Sequence, residues 1–199
     1  MLINYDSNST LFIIGTEVYA HELATMISAE TTGKIKCISK EQFLTLPANS
    51  QCMLGFKNID YRIDFLKNKL ISQHKWPGHV HPTAVIVDHQ PTWKPGIIIG
   101  PLSMVGHQAV LGEFCNIGPM CVVGHGCHLG NNTVASNSIH IGGSTNIGKN
   151  VFLGQMCSIK TKIIIVDDCV IGMNGVVTKN ITVPGYYVGS PVRLTQKLP

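Results

Sequence analysis

Reading every sixth residue from Val87 gives Val87, Trp93, Ile99, Val105, Leu111, Ile117, Val123, Leu129, Ala135, Ile141, Ile147, Leu153, Ile159, Ile165, Ile171, Val177 and Val183, seventeen positions that are all apolar with no insertion between them. In a chain that is 44% apolar, one chosen register would do this by chance roughly once in a million times, so the period belongs to the fold. Gly follows the apolar residue at ten places, positions 100, 106, 112, 118, 124, 130, 142, 148, 154 and 172. Two residues before it runs a ladder of small side chains that includes Ser103, Ala109, Cys115, Cys121, Cys127, Thr133, Val151, Cys157 and Cys169.

A period of six is neither the 3.6 of a helix nor the 2 of a long strand. Within a hexad, residues i−2 and i point one way and i−1 the other, as in a short strand. The Gly at i+1 is expected to supply a turn with φ values that other residues avoid. Three such strands and three turns close a triangular coil of eighteen residues, and coils stack through parallel hydrogen bonds about 4.8 Å apart. Residues 85–184 then make between five and six coils, a prism roughly 25 Å tall.

Before the prism the pattern changes. Residues 10–15 predict a buried strand ending in Gly, and Val18 to Ala29 a helix with Leu23, Met26 and Ile27 on its apolar face. Lys34–Ile38 and Gln51–Gly55 predict two more strands, and Asp60–Gln73 a long second helix carrying Phe65, Leu66, Leu70 and Ile71. Strands alternating with helices imply a small parallel α/β domain. Trp76-Pro77-Gly78 marks its end, giving domains at 1–78 and 79–199.

Composition narrows the function. Only 13% of residues are charged and the net charge is +4, with no block of Lys or Arg. That argues against disorder and against nucleic-acid binding, and leaves a few cations for a phosphorylated ligand. No segment reads as a signal peptide or membrane span, so a cytoplasmic location and no membrane partner are expected. Seven cysteines without a CxxC pair suggest neither zinc nor disulfides, and five of them fall on the small-residue ladder, where Cys serves as a small buried side chain.

The hexad pattern resembles the hexapeptide-repeat acyltransferase superfamily, whose fold is a left-handed parallel β-helix. An N-terminal α/β, Rossmann-like domain before the prism is the layout of bacterial sugar acetyltransferases that act on UDP-4-amino-sugars or on sialic-acid-type sugars. His81-Pro82-Thr83-Ala84-Val85 is similar to their entry segment His-Pro-Ser-Ala-Ile, and Gly189-Ser190-Pro191-Val192-Arg193 to their closing Gly-Asn-Pro-Ala-Lys. The resemblance implies an acetyl-CoA-dependent sugar N- or O-acetyltransferase working as a homotrimer, with acyl-CoA and a small sugar as its ligands.

It also nominates residues. Val123-Gly124-His125-Gly126-Cys127 looks like the family's Ile-Asp-His-Asp/Glu-Cys, whose His is the general base. By spacing alone His89, His107 and His125 share position i+2 at intervals of eighteen, so they should stack on one corner, His107 beside His125. His128 and His140 fall at i−1, on outward faces. Ile141-Gly142-Gly143 is similar to the family's Leu-Gly-Gly, which makes the Gly143 backbone a cofactor contact, with Thr161, Lys162, Lys160 and Arg193 as candidates beside it. Gly15, Thr16 and Glu17 stand at the family's glycine-rich nucleotide turn, and so are the substrate-binding candidates. The chain departs from the family at several points. Glu17 and Val18 replace two glycines, Ile38-Ser39-Lys40 lacks the acidic pair after the second strand, Gly126 replaces the acid after the base, and Val134 replaces a further His. Two other readings stay open. One is a divergent non-catalytic sugar-binding or scaffolding trimer. The other is a zinc enzyme like the hexapeptide-repeat carbonic anhydrases, although those use two histidines five apart and no pair in this prism has that spacing.

Overall fold

The structure, a computed structural model, describes residues 1–88 and 92–197. The chain divides into two compact units, Met1–Val80 and His81–Pro199.

In the first unit β1 (Leu2–Ile3) pairs antiparallel with β5 (Gly78–Val80). The core sheet is β2 (Leu11–Ile14), flanked in parallel by β3 (Ile35–Ile38) and β4 (Gln51–Leu54). Leu11, Ile13 and Ile14 are wholly buried, as are Ala20, Leu23 and Ile27 of α1 (Val18–Ser28), whereas Met26 is only half-buried. A short α2 (Lys40–Phe43) begins with Ser39 and Gln42 capping each other's backbone, which satisfies two otherwise orphaned N–H groups.

The expected helix over Asp60–Gln73 is broken. It runs as α3 (Ile59–Leu66) and a separate 3-10 turn, Lys69–Gln73, because the Asn68 side chain accepts from Leu70 N and starts a new turn there. Trp76 is a core residue rather than a linker. Its indole N–H donates to Ile71 O at 2.9 Å and its ring packs with Phe43 and Phe65.

The second unit is a parallel β-solenoid of about six turns. Two-residue strands stack into three faces, exemplified by Ile98–Ile99 with Asn116–Ile117, Met104–Val105 with Val122–Val123, and Val110–Leu111 with His128–Leu129. The inward residues from Ile99 to Val177 are all buried, each Val, Leu or Ile among them stabilising the prism by roughly 1.5–3 kcal/mol. The small-residue ladder does more than fill space. Cys121 Sγ donates to Ser136 O at 3.1 Å, Cys157 Sγ to Gly172 O at 3.1 Å, and Thr133 Oγ1 to Gly148 O at 3.0 Å. The ladder thus selects small donors that satisfy buried carbonyls.

Two expectations fail here. The Gly at i+1 does not take a left-handed conformation; that falls to residue i+3, from Leu102 to Asn174 at every sixth position, with φ of +56° to +61°. Where i+1 is glycine, the next coil passes too close for a Cβ, whereas Ser136, Lys160 and Val166 fill the same position. A Cβ on Gly106 would lie 2.6 Å from His125 N, and one on Gly142 2.5 Å from Thr161 N. The apolar ladder also loses its ends. Ile86, not Val87, pairs with Val105, nineteen residues on, and Val87 is exposed. Trp93 is half-buried and outside any strand, against Val105, Ala109 and Leu111 in a cavity of about 340 Å³. In the last coil Ile165 bridges Ile181 and Ile171 pairs with Tyr187, sixteen residues on, so Ile181 is buried and Val183 is exposed.

Candidate functional site

Coils of eighteen residues bring His107, His125, Gly143 and Thr161 onto one edge, between the face of Val105 and Val123 and the face of Leu111 and Leu129. The rungs at this corner are backbone hydrogen bonds. Gly126 N donates to His107 O at 2.8 Å, Ser144 N to His125 O at 2.7 Å, and Lys162 N to Gly143 O at 3.0 Å. His107 and His125 therefore stand on adjacent rungs, about 5 Å apart along the edge.

His89 lies outside the described residues, and the corner below His107 belongs to Asp88, because the first coil is one residue longer than the rest. Asp88 Oδ1 meets His107 Nδ1 at 2.6 Å, and Asp88 Oδ2 accepts from Gln108 N at 2.9 Å. Sequence reasoning passed over Asp88, since an unbroken period of eighteen puts it at i+1. The only signal for it was the weak strand character of the chain around Trp93.

Both imidazoles are exposed. Among the described residues neither ring nitrogen of His125 has a hydrogen-bond partner, and the ring lies over Gly143. A Cβ there would fall 2.5 Å from His125 Nε2, and Gly143 is buried as a result. Gly126, where the family carries an acid, is a left-handed corner residue with open space beside it.

Thr161 and Lys162 are exposed one rung above Gly143, with Lys160 beside them. Arg193 is not brought to this edge. It pairs with Val188 in a hairpin, Gly185–Gly189 with Val192–Lys197, that extends the face of Ile99 and Ile117. His128 and His140 are exposed on outward faces. His128 lines an open groove of about 860 Å³ with Val110, Asn146 and Ile164.

In the first unit Gly15, Thr16 and Glu17 do come together, at the carboxyl ends of the parallel strands. They line a cavity of about 260 Å³ with Ser39, Lys40, Glu41, Phe56 and Tyr61. The Lys40 ammonium sits 4.4 Å from the Tyr61 ring centre and 5.4 Å from that of Phe56. Glu17 caps α1 without a side-chain hydrogen bond. Sequence reasoning noted Lys40 only as a missing acid, and Phe56 and Tyr61 not at all. Crevices at strand carboxyl ends are the usual ligand position of open parallel sheets, and that is the signal that could have found them.

The cysteines are free thiols, six of them buried. Burial pushes Cys52 up to about 12 and Cys169 up to about 11, so these are not nucleophiles near neutral pH. Among the described residues no group of three His, Cys, Asp or Glu side chains is placed to hold a metal ion. No helix among them is long and apolar enough to cross a membrane.

Solved structures share this architecture. The acetyltransferase domain of PglB from Neisseria gonorrhoeae FA1090 superposes with a TM-score of 0.86 at 19% identity, over 94% of this chain and 100% of that one. PerB from Caulobacter crescentus, in complex with CoA and GDP-perosamine, gives 0.79 at 17% over 94% and 97%. WeeI from Acinetobacter baumannii AYE gives 0.65 at 15% over 94% and 100%. No protein-family model matches the chain, and no curated protein does. At these identities the likeness establishes the fold: the solenoid is of the left-handed β-helix kind, built from hexapeptide repeats.

Proposed function

We propose that the chain transfers an acyl group from acetyl-CoA to an amino or hydroxyl group of a sugar, with a histidine of the His107–His125 edge as general base. The observation that carries this reading is the edge itself, which sets two imidazoles on the rungs just below Gly143 and Thr161. Fold likeness supports it, since the PglB domain has been solved with acetyl-CoA and PerB with CoA and a nucleotide sugar. Acyl transfer from a thioester needs a base near neutral pH for the attacking amine or hydroxyl, and imidazole is suited to it. The resemblance gives that role to His125.

Gly143, Thr161 and Lys162 fit the acyl carrier as backbone, hydroxyl and ammonium donors around one corner, with Arg193 as an outlying cation. Gly143 becomes available once the His125 ring swings off it. The cavity at Gly15, Thr16 and Glu17 is the sugar site, where Glu17 disfavours a diphosphate and Tyr61 offers a stacking surface. A homotrimer and a cytoplasmic location complete the reading, the trimer because edge grooves of such prisms are completed by a neighbouring copy.

Thiol release from acetyl-CoA with candidate amino sugars tests it. Replacing the edge histidines by Ala is expected to lower kcat/KM by roughly 10²–10⁴-fold for whichever one is the base. Equal release from wild type, His125→Ala and His107→Ala would remove the edge from the chemistry. Absence of acetyl-CoA binding by calorimetry would favour the non-catalytic reading, to which the missing acid at Gly126 and the Glu17-Val18 turn lend support.

A further inference from the structure

The edge holds two imidazoles, and they are not equivalent. His125 has no carboxylate beside it, its neighbour is Gly126, and its ring rests on Gly143. A base in that position must first turn away from the backbone it covers. His107 is held. Its Nδ1 faces the Asp88 carboxylate at 2.6 Å, and the other carboxylate oxygen is tied to Gln108 N at 2.9 Å, so the acid itself is held at both oxygens. A carboxylate is an acceptor only, so the His107 nitrogen it meets must carry the hydrogen. That leaves Nε2 with its lone pair free, on an exposed ring of fixed orientation.

We infer that Asp88 is a positioning residue that acts through His107, and that His107 held in this way is the general base. This rests on the acyl-transfer reading and moves the base one rung down from His125. As the acceptor nitrogen or oxygen bonds to the thioester carbonyl carbon, its proton passes to His107 Nε2. The tetrahedral centre then collapses, the carbon–sulfur bond breaks, and the CoA thiolate leaves, to be protonated by the imidazolium or by water. Asp88 keeps its negative charge throughout and stabilises the imidazolium that forms. The carboxylate missing after His125 is thus supplied from the preceding coil, and the extra residue of that coil places it there.

Asp88 also has a structural duty. Elsewhere on this corner the i+3 amide donates to the carbonyl one coil below, and for Gln108 the Asp88 side chain takes that place. Asp88→Asn separates the two roles, because an amide oxygen can still accept from Gln108 N but can no longer act as a carboxylate toward both groups. The experiment measures kcat and KM for acetyl transfer by the full chain, with melting temperature alongside, for wild type, Asp88→Asn, Asp88→Glu, His107→Ala, the Asp88→Asn/His107→Ala double variant and His125→Ala.

Asp88→Asn is expected to melt within a few degrees of wild type. It should lose roughly 10–10³-fold in kcat/KM, the range expected when a base loses its tautomer and orientation. The loss should fall on kcat, with KM for acetyl-CoA within about twofold of wild type, because Asp88 orients the base and binds neither substrate. Asp88→Glu should recover part of the rate. His107→Ala should lose at least as much as Asp88→Asn, and Asp88→Asn should cost nothing further in the His107→Ala background. An active wild type with an unmoved rate in Asp88→Asn would overturn the inference and leave the acyl-transfer reading standing. A rate lost in His125→Ala and kept in His107→Ala would do the same. A wild type that binds acetyl-CoA yet transfers to no acceptor would remove both.

Discussion

Between Ile99 and Val177 every inward side chain recurs after six residues and stacks after eighteen, whereas at Ile86 and Ile181 the stacking persists but the spacing becomes nineteen and sixteen. In the middle, each coil has a neighbour above and below, and its backbone is fixed by both. At most of the i+1 positions the neighbouring coil then leaves no room for a Cβ, with Ser136, Lys160 and Val166 as the exceptions, and the period does not slip. At the ends one neighbour is missing, so the chain is free to gain or lose residues as long as the last rung is paired. The middle builds the prism, and the first coil, by gaining a residue, sets an acid beneath a histidine. Irregularity is tolerated at the end of a solenoid, and there it installs chemistry that the repeat itself does not encode.

The comparison can be broken most forcefully at the glycines. A Cβ on Gly124 would lie 2.6 Å from Gly143 N and 2.8 Å from Gly143 Cα, backbone that cannot yield. Gly124→Ala should therefore cost more than about 3 kcal/mol in urea unfolding. At Gly126 the nearest atom to an added Cβ is 3.6 Å away, and only the φ of +61° resists. Gly126→Ala should cost about 1 kcal/mol, as the twelve other residues at this corner position already tolerate. Equal costs would mean that coil contact is not what selects glycine.

Next comes the ladder. Ile141→Ala, in a middle coil at 2% exposure, should cost about 2–5 kcal/mol. Val183→Ala and Val87→Ala, apolar in the same sequence register but 38% and 44% exposed, should stay within about 0.5 kcal/mol. Denaturant midpoints at constant slope read the difference. A Val183→Ala cost as large as that of Ile141→Ala would restore the unbroken run of seventeen ladder positions.

How much of this could be read from the chain follows the same division. The triangular coil, the buried Ile99-to-Val177 ladder and the shared edge of His107 and His125 were legible, because hexad periodicity is dictated by a backbone hydrogen-bonded on both sides. The nineteen-residue coil was not, since Val87 is as apolar as Ile86 and both satisfy a hydrophobic template. The left-handed corner was missed because Leu102, Gln108, Phe114 and Met120 carry no signature of positive φ; the rung imposes it on them. In the first unit the three strands were legible from apolar runs. The break at Asn68 was not, because a side-chain cap competes with helix continuation inside an otherwise helical pattern. The cavity wall joins Lys40 and Tyr61, in the first turns of α2 and α3, to Phe56 in the loop after β4, and no local pattern connects them.

A smaller effect sharpens the account of the last coil. Burial, with the Asp168 and Asp167 carboxylates adding to it against a hydrogen bond from the Gly185 backbone, raises the Cys169 thiol from an ordinary 9.0 to about 11. A raised thiol stabilises the fold below the unfolded value and loses that contribution as pH climbs toward the folded one. Stability should therefore fall between pH 9 and 11 by at most about 1.4 kcal/mol per unit. Cys169→Ala, compared with wild type by thermal melts across that range, should flatten the decline. An unchanged slope would place the alkaline sensitivity elsewhere, for instance at Cys52.

The most direct test of the central claim is a crystal structure of the chain soaked with acetyl-CoA. The account predicts the pantetheine along Gly143 and Thr161, the His125 ring turned off Gly143, and the thioester carbonyl on the edge with His107 Nε2 facing the space an acceptor would fill. Acetyl-CoA seated on another face of the prism, or a thioester beyond the reach of both imidazoles, would contradict it.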